Sequence, residues 1–410
     1  MKEDLVRLLD RESDRIVEFI SKWVSIASPT PPGDTVEAMA HVERLLDEEG
    51  IAYDIRCKDD TMPNLVASRK FGDGDKHLAL NGHIDVFPVA DPEKWSVPPW
   101  SGKIVDGKIY GRGVADMKVG TAASIFTYIY LHRLRDDLKG KLTLTVVSDE
   151  ERLGPNGANF LFDEFADEIT GTSCLNGEPS SRHTVRFGEK GAAWVRFTVQ
   201  STGGHGAYHN GDNAVDLAFA LIKDLRQFTS FSFKEDPELV AALEASAEAF
   251  DLANGKGATK LARSILMNVG NIKGGASVNM IPSHCQFEVD FRLPNGVTVE
   301  DLVGFIDEVK SRRRFDYEVF HTAQPNWCEP DGELSRIVRQ NARQVTGIEP
   351  ASVIGMGNND SRLWRYRNVP AVVYGPSPAT MASVDEHVTI EEALNVVRVH
   401  ALSAYDYLAR

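Results

Sequence analysis

His83 and Asp85 stand two residues apart, just after the apolar run Leu78-Ala79-Leu80 and the pair Asn81-Gly82. A His can offer a ring nitrogen to a metal, and a nearby Asp can accept the opposite ring N–H and fix the tautomer. Alone the pair is weak, since a His satisfied at a strand end reads the same way. Three further stretches repeat the pattern of an apolar run handing on an acid. Asp116 precedes a helical stretch at 118–135, where it also reads as a helix N-cap. Glu150 and Glu151 follow the β-prone run 142–147, and Glu178 follows 172–175 and Asn176-Gly177. Adjacent acids at a buried strand end repel one another and are costly to desolvate, and a cation offsets that cost.

Taken with a C-terminal His, the set His83, Asp116, Glu151 and Glu178 is a mixed His/carboxylate group without thiolate. That chemistry suits Zn, Mn or Co. Two such ions about 3.5–4 Å apart, bridged by a carboxylate, activate water and polarise a carbonyl. The proton then needs a carboxylate that is not a ligand, and Glu150 is free for that role.

The elements that must hold these residues alternate. Helical spacing covers 3–27 and 35–49, and strands are expected at 52–56, 64–69 and 78–81. Strands and helices then alternate to Glu178, each strand delivering its residue at the C-terminal end, as in an α/β sheet with its site at the carboxyl edge. The pattern changes over 184–322 to strand-helix-strand-strand-helix-strand, a ferredoxin-like insert, with an Ala/Glu/Lys-rich helical excursion at 234–262. The expected organisation is a catalytic domain in two parts, 1–183 and 323–410, with a mostly parallel sheet flanked by helices, and an inserted α+β domain at 184–322.

Composition narrows the function classes. The chain has 410 residues, enough for two domains, and a formal net charge of -15, which disfavours nucleic acid and anionic membrane. No run approaches the ~18 apolar residues of a membrane span, and no signal peptide is read. The four cysteines are far apart, as in a reducing, cytoplasmic setting.

The motifs Gly82-His83-Ile84-Asp85-Val86, Gly111-Arg112-Gly113 with Asp116-Met117-Lys118, Glu150-Glu151 and Gly177-Glu178-Pro179 resemble, in order and spacing, the M20 metallopeptidase family. That group includes acetylornithine deacetylase, succinyl-diaminopimelate desuccinylase, aminoacylase and glutamate carboxypeptidase. The resemblance implies that His83, Asp116 and Glu178 hold one metal, with Asp116 bridging to a second on Glu151. It also implies that Asp85 orients His83 and that Glu150 is the general acid/base. The insert resembles the family's lid, which forms a homodimer. His205, in Gly203-Gly204-His205-Gly206, resembles the residue that reaches the partner's site and polarises the scissile carbonyl. Asn279 and Arg292 resemble residues that bind a substrate carboxylate, a role suited to the bidentate Arg fork. Asn358 and Asn359 fall in a stretch, Gly357 to Arg362, that matches the family's glycine-rich substrate loop less closely.

One position departs. Relatives place a ligand His four residues before a Glu, here Glu386, where this chain has Ala382. His387 is taken as the replacement ligand. The alternatives are a weakened second site that leaves one metal, and a surface His after an acid pair. The implied activity is hydrolysis of an amide in a small carboxylate-bearing substrate, with N-acyl amino-acid deacylation ahead of dipeptidase or carboxypeptidase action. An unusual non-peptide C–N bond, amide or aryl amine, and a non-catalytic metal-binding relative are the other readings. Arg292 and Lys118 are expected to supply a positive field for an anionic substrate. Trp95, Trp100 and Trp327 read as packing anchors, Tyr208 and His209 as a subunit seam, and His183, His284 and His400 as structural or exposed.

Overall fold

Four parallel strands carry the centre of the larger sheet: Lys139–Val147, Gly72–His83, Ser173–Asn176 and Ala371–Val373, adjacent in that order. Strands covered on both faces read as near-continuous apolar runs, which is why Leu78-Ala79-Leu80 and Leu142 to Val147 are so uniform. The flanks are antiparallel. Asn64–Lys70 and Asp54–Arg56 extend one side, and Thr184–Glu189 with Asn326–Trp327 extends the other, Ala351–Gly355 joining Thr184–Glu189 in parallel. The sheet is therefore mixed, with parallel pairing confined mainly to its centre. The computed structural model describes residues 2–134, 138–208 and 211–409. His209 and Arg135, the latter at the expected helix end, lie outside them.

The helix Val119–Arg133 is buried on every side from Val119 to Leu131, between the sheet and the last helix, Ile390–Leu408. A helix apolar all round belongs in a core. Near its start Gly120 meets Gly177 so closely that a Cβ there would lie 1.9 Å from the Gly177 carbonyl oxygen. This contact sets the Asp116 segment against the Glu178 loop. The N-terminal helix expected over 3–27 is instead two, Lys2–Arg11 and Ser13–Val24.

A second core lies under the smaller sheet, ordered Leu266–Gly274, His284–Leu293, Gly191–Gln200, Asp316–Ala323 and antiparallel throughout. With helices Ala214–Leu225 and Val299–Arg312 it forms the ferredoxin-like arrangement. In His284–Leu293 every second residue, from Cys285 to Leu293, is buried, the period of a strand with one covered face. The other face is polar: Arg196 pairs with Glu288 at 2.9 Å and with Glu318 at 2.8 Å.

Two parts of 184–322 do not join that core. Thr184–Glu189 is a strand of the larger sheet. The helices Pro237–Ala245, Ala247–Asn254 and Ala258–Ala262 pack Leu239, Leu243 and Phe250 on Phe187, Val353 and Ile354 of the larger sheet. Sequence spacing announces the helices but not the surface that covers their apolar side.

Candidate metal centre and active site

Strand ends deliver the site. His83 closes its strand, while Glu178 and Glu150 follow the neighbouring strands by two and three residues. A polar ladder crosses the sheet beneath them. Asn176 Nδ2 donates to Asn81 Oδ1 at 2.7 Å, Asn81 Nδ2 to Thr145 Oγ1 at 3.1 Å, and the Glu178 N–H to Asn176 Oδ1 at 2.7 Å. These two asparagines, read in the sequence only as strand-end markers, fix the approach of Glu178.

His83, Asp116 and Glu178 converge, their ligand atoms all within 4.8 Å of one another. His83 Nε2 lies 3.3 Å from Asp116 Oδ1 and 3.2 Å from Glu178 Oε1. All three side chains are buried, and His83 Nε2 and Asp116 Oδ1 have no hydrogen-bond partner. Orphaned buried donors and acceptors are costly unless something binds them. Asp116 caps no helix: its backbone is extended (φ −119°, ψ 97°), which turns its carboxylate toward His83. Burial alone would lower the His83 pKa, but the carboxylates of Asp116, Asp85 and Glu178 gathered around the ring lift it well above the usual value. Glu178 is pushed up to about 7, first by burial and then by the charge of Asp116. The trio therefore fits a divalent cation, whose charge supplies what these acids lack.

Asp85 does more than orient a ring. The His83 Nδ1–H donates to its backbone carbonyl at 2.9 Å, while the carboxylate is 3.5 Å away. That carboxylate instead accepts the N–H groups of Glu150 and Glu151, both at 3.1 Å. One residue thus places both the His and the acid pair. Glu150 Oε2 lies 3.8 Å from His83 Nε2, and its Oε1 is buried without a partner. Burial, then the charge of Glu178, raises the Glu150 pKa. Burial, then Asp116, raises that of Glu151.

Several contributors were given no role by the sequence. Glu386 is buried, and its Oε1 accepts the N–H groups of Gly113 at 3.1 Å, Ala115 at 2.9 Å and Asp116 at 3.4 Å. Its Oε2 takes Arg112 Nη1 at 2.6 Å, and Arg112 lies over the Trp95 ring. The carboxylate thereby shapes the loop that carries Asp116. Asp360 and Arg362 are buried beside Glu150, their charges facing one another at 3.7 Å, and burial pushes the Asp360 pKa up to about 6. Both stand in the motif Gly357 to Arg362, the only signal that could have found them.

The remaining expected residues lie outside the trio. His205 is exposed on a short two-stranded ribbon, Gly204–His205 paired with Met280–Ile281, accepting from the Ala207 N–H at 3.2 Å. Asn279 is exposed on the facing arm and accepts from Ser277 Oγ at 2.7 Å. Arg292 is half-buried and held by Asp290 at 3.0 Å. Asn358 donates to Glu189 Oε1 and the Lys190 carbonyl, and Asn359 accepts from the Ser361 N–H. His387 is not brought to the trio. Its Nδ1 meets the Asp385 carbonyl at 2.8 Å and its ring lies 4.9 Å from that of Tyr110. Because side chains alternate along an extended segment, a buried Glu386 turns its neighbour outward. Lys118 is not presented to a substrate. It is buried, its Nζ held by the carbonyls of Trp23 at 3.0 Å and Ile26 at 2.7 Å, and burial lowers its pKa to about 7.

Residues 79–406 match the profile of peptidase family M20/M25/M40. The chain is 28% identical over 385 residues to a succinyl-diaminopimelate desuccinylase of Cereibacter sphaeroides (strain ATCC 17029 / ATH 2.4.9), covering 91% of this chain and 94% of the relative. Its fold is similar to that of the M20 family metallo-carboxypeptidase Sso-CP2 of Sulfolobus solfataricus, with a TM-score of 0.80 at 17% identity over 97% of this chain and 99% of the other. It is also similar to the YXEP protein of Bacillus subtilis, described as a dinuclear metal-binding peptidase of the M20 family. There the TM-score is 0.67 at 15% identity, over 97% of this chain and 99% of the other.

Proposed function

The chain belongs to peptidase family M20/M25/M40, and from that premise we propose that it hydrolyses the amide of a small, carboxylate-bearing N-acyl amino acid. It is a metal-dependent hydrolase of C–N amide bonds. The observation that carries the reading is the buried trio with its orphaned Nε2 and Oδ1, beside a Glu150 carboxylate oxygen that also has no partner. The desuccinylase relative supports an acylated amino acid as substrate.

A divalent ion on His83, Asp116 and Glu178 would polarise the scissile carbonyl and make water acidic enough to ionise near neutral pH. Zn suits this donor set best, with Mn or Co next. Glu150 takes the proton from water and returns it to the leaving nitrogen. Its burial beside Glu178 raises its proton affinity, which suits the second half of that task. Arg292, released from Asp290, and Asn279 bind the substrate carboxylate, with Asn358 and Asn359 at the far wall. His205 completes the site from the partner of a homodimer formed through the smaller sheet's domain, since in its own chain it stands exposed on a two-stranded ribbon. The net charge of -15 supports a small-molecule substrate rather than nucleic acid. Among the described residues no helix is long and apolar enough to cross a membrane. Four free cysteines support a reducing compartment, the cytoplasm. The description of YXEP raises the matter of a second ion, which would have to sit between Asp116 and Glu151.

The test is turnover of N-succinyl, N-acetyl and dipeptide substrates by protein reloaded with Zn, Mn or Co. Glu150→Gln is expected to lower kcat by about 10²–10⁴-fold with metal content unchanged. Full activity in that variant would remove Glu150 from the role, and no cleavage of any amide would remove the reading.

A further inference from the structure

We propose that this chain binds one divalent ion, not two, and that Glu151 receives an amine of the substrate. The second part rests on the amide-hydrolase reading above; the first does not.

The donor count decides the number of ions. A catalytic zinc keeps three protein ligands and one open position. His83, Asp116 and Glu178 meet that number, and they are the one group of three metal-capable residues that assembles among the described residues. A second ion could draw on the other Asp116 oxygen and on Glu151, which makes two donors. Ala382 offers a methyl group, and its carbonyl already accepts Arg112 Nη2 at 3.1 Å. His387 lies on the outward side of its segment, against the Asp385 carbonyl and Tyr110. The Glu386 carboxylate, which is buried close by, is filled by three backbone N–H groups and Arg112. No third donor arrives.

Glu151 is then left with a task. Its Oε1 is buried without a hydrogen-bond partner, and among the described residues no Lys or Arg pairs with it. The charges that act on it are those of Asp116, Glu150 and Asp85, with His83 as the cationic group among them. That carboxylate oxygen accepts a hydrogen bond, so its donor must come from outside the chain. A pocket of like charge selects an ammonium or amine and rejects a carboxylate. The substrate class becomes an amide that also carries an amine.

Elemental analysis and manganese titration followed by electron paramagnetic resonance read the first part without turnover. One tight ion per chain is expected in the wild type and in Glu151→Gln, with an uncoupled signal. Two per chain, falling to one in Glu151→Gln, would overturn it. Glycine hydroxamate and acetohydroxamate read the second part, because they carry the same chelating group with and without an amine. Metal-loaded wild type should bind the glycine compound at least about tenfold more tightly, and Glu151→Gln should lose the preference. Equal binding in the wild type, or a preference kept in the variant, would overturn the role of Glu151. The wild-type measurements stand alone if the variant does not fold. A protein that binds one ion but cleaves no amide would refute the amide-hydrolase reading and leave the one-ion inference standing.

Discussion

His83, Asp116 and Glu178 are each at most 8% exposed, whereas His205 and Asn279 stand exposed at a two-stranded ribbon and Arg292 is half-buried with its fork on a neighbouring Asp. The first group is held by ladders and loops that leave specific atoms unsatisfied, and a bound cation would satisfy them. The second group is satisfied now, by water or by local partners, and must exchange those partners to meet a substrate. The contrast teaches that the groups proposed for bond cleavage are preorganised within one chain, while those proposed for recognition would be completed on closure or by a second chain.

The sharpest way to break this comparison is subunit complementation. Glu150→Gln and His205→Ala should each be nearly inactive alone. If His205 serves the partner's site, mixed and re-associated dimers should recover up to about a quarter of wild-type activity, since half the dimers are hybrid and each hybrid has one intact site. No recovery, with hybrid dimers demonstrated by mass, would place His205 in its own chain's site.

A smaller effect is expected where a positioning residue holds the preorganised side. Glu386→Gln keeps the shape but loses the charge that gathers the Gly113, Ala115 and Asp116 N–H groups and Arg112. Metal affinity should fall about 10–100-fold, as for other residues that hold a ligand from behind. Calorimetric metal titration measures it, and an unchanged affinity would reduce Glu386 to packing.

The smallest effect concerns the body that carries the trio. His400 is fully buried, its Nε2 on the Tyr374 carbonyl at 2.6 Å, and burial lowers its pKa to about 4. Between pH 6.5 and 4 the unfolded chain binds this proton and the folded chain does not, so stability falls as pH falls through that window. The share from His400 is at most about 3 kcal/mol, from a pKa difference of about 2.5. His400→Gln keeps a donor for Tyr374 without the titration, and denaturant unfolding across that window should show a shallower acid limb. An unaltered limb would assign the acid sensitivity elsewhere, for example to His77, whose pKa is also lowered to about 4.

Much of the architecture is legible from local pattern. Apolar runs ending in Gly and an acid mark the parallel strands and their site edge, and alternation marks the smaller sheet. Other features are not legible because they depend on contacts distant in sequence. A boundary at residue 184 looks natural, yet Thr184–Glu189 completes the larger sheet through partners as remote as Ala351–Gly355. Lys118 reads as a free cation, and only the neighbouring helix end at Trp23 and Ile26 shows that it is a buried strut.

The sequence by itself determined the chemistry available: one His and several carboxylates at strand ends, an acid beside them to move a proton, and no thiolate. Residue type and spacing along a strand suffice for that, because a strand's direction and period fix where its last residue points. Tertiary structure decided which of those groups come within reach of one cation. Glu151 and Glu178 are equivalent as letters, but only Glu178 is carried by the Asn81–Asn176 ladder and the Gly120–Gly177 contact into reach of His83. His387 likewise faces outward because buried Glu386 beside it faces in. Coordination depends on distances of a few ångströms between side chains from remote segments, and those distances are set by packing.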